Sequence, residues 1–543
     1  QVVIPSFFKP VVISFFAGAD DTLDTNNADL HIEGSSVHGT TGTANTSPRS
    51  VFSGTGDMTF LGFQIFSDGG TFTGNNINFG AGTTAGAAGN FVGGVAALSE
   101  NIIISGATTI NASGTVNFDV NNSFQLSAPL TVIAVGDINV NGLIVDSVGG
   151  GASSPLLMAS TTGSITISAD MQSSNGNAFA LDAANNLTVQ FIKSGGTPAA
   201  FTSNLDAGGL LNVNAFNAVG GSLDALSGGL LTINSALVTN GGNVSLNSGG
   251  GILLNTGFDT GGGFFTANST NNNITFTAAN SDTGGGGTFS ATATGTGSIS
   301  IPAGANISTN NGSFSAVANI GDVSISGLTN AGTGNITVAT TTGDLFLLGG
   351  LSTSGGFIDI DIVNSGDITV GNTNTTGGGV FDSRIANTGN ILFQSGTGIA
   401  TSGGNILALQ LGSGNVTNDG TLNALAGGVQ LATTAGTVTS SSTVNAGDFT
   451  ATAQTLVDLQ AGFTSNGTTT IITASTGNVI LAGGVTFTNA GGNNVTINAV
   501  TDIDINASFT TTGSGPIDFT ATNTGGTASV ETLPLSTGTL LNT

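Results

Sequence analysis

The chain has 543 residues, of which 88 are glycine, 38% are hydrophobic and only 6% are charged, against roughly a quarter charged in an ordinary globular domain. Four Lys and Arg stand against 30 acids, a formal charge of −26, so nucleic acid and anionic membrane surfaces meet no cationic patch. Cysteine is absent, which excludes disulfides and thiolate metal sites while remaining compatible with an extracellular location.

The chain opens at Gln1 rather than Met, which reads as a processed, exported protein. Its first run, Val2-Val3-Ile4-Pro5-Ser6-Phe7-Phe8-Lys9-Pro10-Val11-Val12-Ile13-Ser14-Phe15-Phe16, holds two β-prone apolar stretches divided by prolines. Val2, Val3, Ile4, Phe7, Phe8, Val11, Val12, Ile13, Phe15 and Phe16 are the assembly candidates, because such a segment left exposed aggregates. It either folds back to plug the first coil or adds as a strand to a neighbouring subunit. No apolar stretch reaches the roughly 18 to 20 residues of a membrane helix, so no membrane span is expected. Further along lie an acidic run (Asp20, Asp21, Asp24 and Asp29), His31 and His38, Pro48 and Arg49. Residues 1–100 therefore read as an atypical N-terminal cap or assembly region grading into a repetitive remainder. A packed or exposed polar role suits the two histidines better than a ligand pair.

From about Asn101 the chain repeats. The unit is Gly or Asn, any residue, an aliphatic, a small polar residue and a second apolar residue, as in Gly163-Ser-Ile-Thr-Ile167, Gly321-Asp-Val-Ser-Ile325, Gly366-Asp-Ile-Thr-Val370 and Gly389-Asn-Ile-Leu-Phe393. Apolar residues two apart share one face of a strand, and the Gly supplies the turn before it. Between Gly229 and Gly436 the units recur about every 23 residues. A second unit, such as Gly334-Asn-Ile-Thr-Val338 or Gly404-Asn-Ile-Leu-Ala408, falls inside most periods, so each period carries at least two strands. Gly, Ser, Thr, Asn and β-branched residues disfavour helix throughout. The expected fold is all-β: a parallel β-solenoid of about 23 residues per coil over residues 101–543. Residues 101 to 530 would make roughly 18 or 19 coils, about 90 Å of stack at the spacing of paired strands. Mean hydropathy of +0.31 and 32 Phe supply the apolar matter for burial, so the chain is expected to fold.

The inventory for chemistry is thin. Asp359 and Asp361 in Ile358-Asp-Ile-Asp-Ile362, and Asp502 and Asp504 in Asp502-Ile-Asp-Ile505, alternate with aliphatics and should point outward together. A solvated polar face is the reading preferred for them. Ca²⁺ bridging between coils or subunits, or a paired-carboxylate glycosidase site, are the functional alternatives. Phe381-Asp-Ser-Arg-Ile385 reads as a surface ion pair. No catalytic constellation is evident, and the only solenoid cations are Lys193 and Arg384, so no enzyme and no cofactor beyond Ca²⁺ is expected. Thr71-Phe-Thr73 and Thr275-Phe-Thr277 do not recur at the coil period, and sequons such as Asn186-Leu-Thr188 follow from composition.

The Gly-Asn/Asp-Ile-Thr-Val unit, with its Gly-Gly and Asn-Thr-Gly turns, resembles the repeats of the filamentous-haemagglutinin-like bacterial exoproteins and related autotransporter passengers over residues 101–530. That resemblance implies a right-handed parallel β-helix outside a bacterial cell, used in adhesion or as a surface fibre. The family's Asn-Pro-Asn secretion signature is not found near the N-terminus, and the tail from Glu531 is not an outer-membrane barrel. The expected function is a secreted, non-enzymatic structural protein that polymerises with itself into an extracellular filament, sheath or biofilm matrix. A monomeric rod-like adhesin for a cell-surface glycan is the alternative, and a polysaccharide-degrading enzyme ranks below both.

Overall fold

Three short strands and the corners between them make one turn. Ile336–Thr342, Leu345–Leu347 and Leu351–Ser352 follow one another, and Ile358–Ser365 begins the next turn. Each strand pairs in parallel with its equivalent one turn on: Ile336 faces Ile358, Leu345 faces Ile368 and Ser352 faces Thr375. The period-two alternation puts Ile336 and Val338 inside and Thr337 and Ala339 outside. A computed structural model describes residues 22–542 apart from 25–26, 28, 34–35, 39–48, 53–54, 62–63, 67–69, 81–100, 105, 119–122, 147–155, 174–176, 195–201, 278–279, 484–485, 491–493, 512–514, 523–529 and 533–540. The assembly candidates Val2 to Phe16 lie outside the described residues.

The protein is all-β, with no helix among the described residues. Its parallel strands form a β-solenoid of about 18 turns in all, at about 22 residues per turn, close to the period read from the glycine spacing. Packing divides the chain into two units, Gln1–Phe264 and Phe265–Thr543.

In the first unit the parallel ladders begin before residue 101: Leu30–Glu33 pairs with Met58–Leu61, and that strand pairs with Ile77–Gly80. Phe60, Phe79 and Phe118 occupy one inward column, with centroid separations of 5.0 Å at each step and nearly parallel rings. In the second unit Phe265, Phe289 and Phe314 stack likewise at 5.4 and 4.8 Å. That column continues through Ile336, Ile358, Phe381, Ile406 and Val429. Burying each of these side chains is worth about 1.5 to 3 kcal/mol, and every added turn extends the same column.

Two side-chain devices hold the corners of the second unit. After the first strand of each turn, Asp322, Asp344, Asp367 and Asn390 form a column in which each side chain accepts a backbone N–H of the following turn. Asp344 N, Asp367 N, Asn390 N and Asn415 N donate to the preceding residue's Oδ1 at 2.9, 2.8, 2.7 and 3.0 Å. After the third strand, buried Thr353 donates its hydroxyl to the carbonyl of Gly356 at 2.6 Å. Thr309, Thr376 and Thr401 repeat that bond to Gly312, Gly379 and Gly404, satisfying a carbonyl the tight turn would otherwise leave buried without a donor.

Candidate functional site

Within the second unit, Ile358–Ser365, Phe381–Ile385 and Ile406–Ser413 lie side by side on the first-strand face. Their inward residues include Ile358, Ile360, Phe381, Ser383, Ile406 and Ala408. Outward, Asp359 faces Asp382, which faces Leu407, and Asp361 faces Arg384, which faces Leu409. Val363 and Leu411 continue the same alternation and are 57% and 51% exposed. Three carboxylates and a guanidinium thus adjoin an outward row of leucines on a surface that elsewhere in the unit carries mostly Thr, Ser and Asn, such as Thr266, Asn268, Ser290 and Thr292, with single apolar residues such as Ile471 among them.

The alternation in Ile406–Ser413 is unusual. Leu407, Leu409 and Leu411 face outward, while Gln410 is wholly buried in the column of Ile385. Gln410 Nε2 donates to the Asn387 carbonyl at 2.8 Å, and its Oε1 is buried with no hydrogen-bond partner.

Charge in this patch is partly withdrawn from water. Arg384 forms an ion pair with Asp382 on its own strand, and Asp382 Oδ1 is buried without a partner. Burial raises the Asp382 carboxyl despite its attraction and hydrogen bond to Arg384. Burial likewise raises Asp359, against the same cation. Asp361 is pushed up to about 6, first by burial and then by Asp359 and Asp382, with Arg384 opposing. The pair read from sequence as a simple surface contact is therefore one edge of a half-buried cluster of four charged groups.

The other sequence candidates are placed separately. Asp504 lies on the strand Ile503–Ile505, facing Ile480 on one side and Glu531 on the other, and accepts the Asn506 amide at 2.6 Å. Asp502 precedes that strand, and its backbone carbonyl accepts the N–H of Val479 at 2.9 Å. His31 and His38 lie on Leu30–Glu33 and Ser36–His38. Among the described residues, no group of three or more His, Cys, Asp or Glu is arranged to hold a metal ion. Likewise, no helix there is long and apolar enough to cross a membrane.

Sequence reading missed two further acidic positions, both in the first unit. Asp146 is wholly buried and accepts Ser173 Oγ at 2.6 Å and Asn177 Nδ2 at 2.9 Å. Asp206 faces Asp182 across one turn, and its carboxyl is raised by burial and then by Asp182, with Asp224 adding to the effect. One period added to Asp359 reaches Asp382, so the first cluster was within reach of the sequence. Asp146 has no such signal, since the alternation Ile144-Val145-Asp146 places it at an inward position usually held by an aliphatic.

A comparison with known family models, characterised proteins and solved structures finds no match to this chain.

Proposed function

We propose that the chain is a secreted, non-enzymatic structural protein whose copies join into an extracellular filament, sheath or matrix fibre, in the manner of the filamentous-haemagglutinin-like exoproteins its repeats resemble. The observation that carries this reading is the division of labour in each turn. Backbone groups of the strands are shared between successive turns, inward positions are spent on a continuous apolar column, and most outward positions hold small uncharged side chains. On the first unit, for example, Asn117 and Asn139 each donate a side-chain amide to the Asn one turn before, at 2.8 Å. Such a stack leaves unpaired strand edges only at its first and last turns, where end-to-end addition is the natural means of growth. Having only four Lys and Arg, it also offers few sites to trypsin-like proteases, which suits a durable material.

Electron microscopy of the purified full chain tests the reading. Uniform fibres containing many copies are expected as concentration rises. Single-chain particles at every concentration, together with retention on a glycan surface, would replace the polymer with a monomeric adhesin. Release of reducing ends from a polysaccharide panel would make the protein an enzyme.

A further inference from the structure

We infer that the outward patch of Asp359, Asp361, Asp382, Leu407, Leu409 and Leu411 receives the residue 2–16 segment of a second copy of this chain. The inference rests on the self-assembly reading above and names the contact that would serve it.

The patch is not a by-product of core packing. In Ile406–Ser413 the inward positions are filled by Ile406, Ala408 and Gln410, so the core has taken a glutamine while three leucines face out. Outward apolar side chains in a row carry a solubility cost and mark contact surfaces. Beside them, three acids and one Arg leave an excess of negative charge in a half-buried setting, where an incoming cation is attracted more strongly than at an open surface. The occupant must therefore bring apolar side chains together with a positive charge.

The chain itself contains such a segment. Of its four cations, Arg384 belongs to the patch, Lys193 lies on the solenoid strand Leu187–Ser194, and Arg49 lies on Arg49–Phe52. Lys9 is the remaining one, and it is flanked by Phe7 and Phe8 on one side and by Pro10, Val11 and Val12 on the other. Prolines at 5 and 10 remove two backbone donors from the segment, which weakens it as an added strand. The sheet face needs no such donors, because its own backbone groups are already shared between turns: Ile358 N donates to Val380 O and Phe381 N to Asn405 O, each at 2.9 Å. Docking across the face by side chains thus fits the segment better than strand donation at an edge.

The test uses the full-length Lys9→Glu chain as receptor, since its own segment has lost the cation, and a fluorescent peptide of residues 1–17 as probe. Saturable binding near one peptide per chain is expected. It should weaken about tenfold when Leu409→Ser is added to the receptor, and by a similar factor for Asp361→Asn with Asp382→Asn or for a Lys9→Glu peptide. All three receptor substitutions are at outward positions, and unchanged circular dichroism with a cooperative melt no lower than the parent's for the two Asp→Asn changes shows that the fold is kept. Equal binding to the parent and patch-substituted receptors, or no binding to any, would overturn the inference. Assembly separates this from the broader reading. Fibres that form equally well from wild-type and Leu409→Ser chains would sink the docking contact alone, whereas absence of fibres from the wild-type chain would sink self-assembly itself.

Discussion

Asp361 stands directly opposite Arg384 on the neighbouring turn, yet the guanidinium is engaged by Asp382 on its own strand. Asp361 is thus left half-buried with two other carboxylates nearby, and its carboxyl is pushed up to about 6, first by burial and then by Asp359 and Asp382. A carboxyl raised on folding holds its proton more tightly in the folded state, so its contribution to stability is best at low pH. Stability should fall as pH rises from about 4, where the unfolded group ionises, to about 6, and then level off. Asp359 and Asp382 act in the same direction.

Replacement of Asp361 by Asn should therefore stabilise the protein at pH 7.5 by about 1 kcal/mol, with solvent screening of a half-buried group allowed for. At pH 4 the two proteins should melt together. Denaturant titrations at both pH values measure this, and an equal effect at the two would show that Asp361 is not the group responsible.

At the corner beside Asp367, Gly366 stacks on Gly343 so closely that a Cβ would lie well inside 3.0 Å of the Gly343 carbonyl. No side chain is there to yield, because the obstacle is backbone. Gly366→Ala should cost about 3 kcal/mol or more. Gly396 is the control: its φ is +83° and a Cβ there meets nothing within 4 Å, so Gly396→Ala should cost only about 1 kcal/mol of backbone strain. Similar losses at the two sites would refute close packing of the glycine column.

Thr353 is buried and its hydroxyl serves the Gly356 carbonyl. Valine has nearly the same shape but no donor, so Thr353→Val should destabilise by about 1 to 2 kcal/mol. Thr369 lies on the outward side of Ile368–Val370, and Thr369→Val should change stability by less than about 0.5 kcal/mol. Chemical unfolding of both variants decides whether the corner hydroxyl matters.

Gln410 presents the opposite case. Its Oε1 is buried without a partner, and the Asn387 carbonyl that it serves also accepts the N–H of Ser413 at 2.7 Å. Gln410→Leu removes an unsatisfied atom, leaves that carbonyl bonded and matches Ile385 in the adjoining turn. A gain of about 1 kcal/mol is expected; a loss would mean that the glutamine is held by something other than the bond to Asn387.

The strand and its turn were legible because Gly366-Asp-Ile-Thr-Val370 and its equivalents write two inward apolar residues and a corner into five positions. The third strand was not, since segments such as Leu351–Ser352 and Thr329–Asn330 hold two residues with at most one inward aliphatic. The hydroxyl of Thr353 was hidden for a related reason: a Thr before Ser-Gly-Gly looks like any turn residue until the chain brings its Oγ1 to a buried carbonyl three positions on. The outward leucines escaped because Ile406-Leu-Ala-Leu-Gln-Leu411 is apolar on both faces apart from Gln410, and polarity alone would put that glutamine outside. Asp359 and Asp361 were read correctly as outward, but their company depends on register, which only the pairing of Asp359 with Asp382 discloses.

The corner column of Asp322, Asp344, Asp367 and Asn390 has a direction. Every amide in it belongs to the later residue and every accepting oxygen to the earlier one. A finished layer therefore displays a ready side-chain acceptor to chain not yet wound, whereas the backbone bonds at the same corners run the other way, from Leu345 N to Asp367 O and from Ile368 N to Asn390 O at 2.9 Å, so the side chains of this column should favour winding from the N-terminal side. Pulse-labelled amide exchange during refolding would register this as protection spreading towards the C-terminus, and Asn390→Leu should delay the layers after it and spare those before.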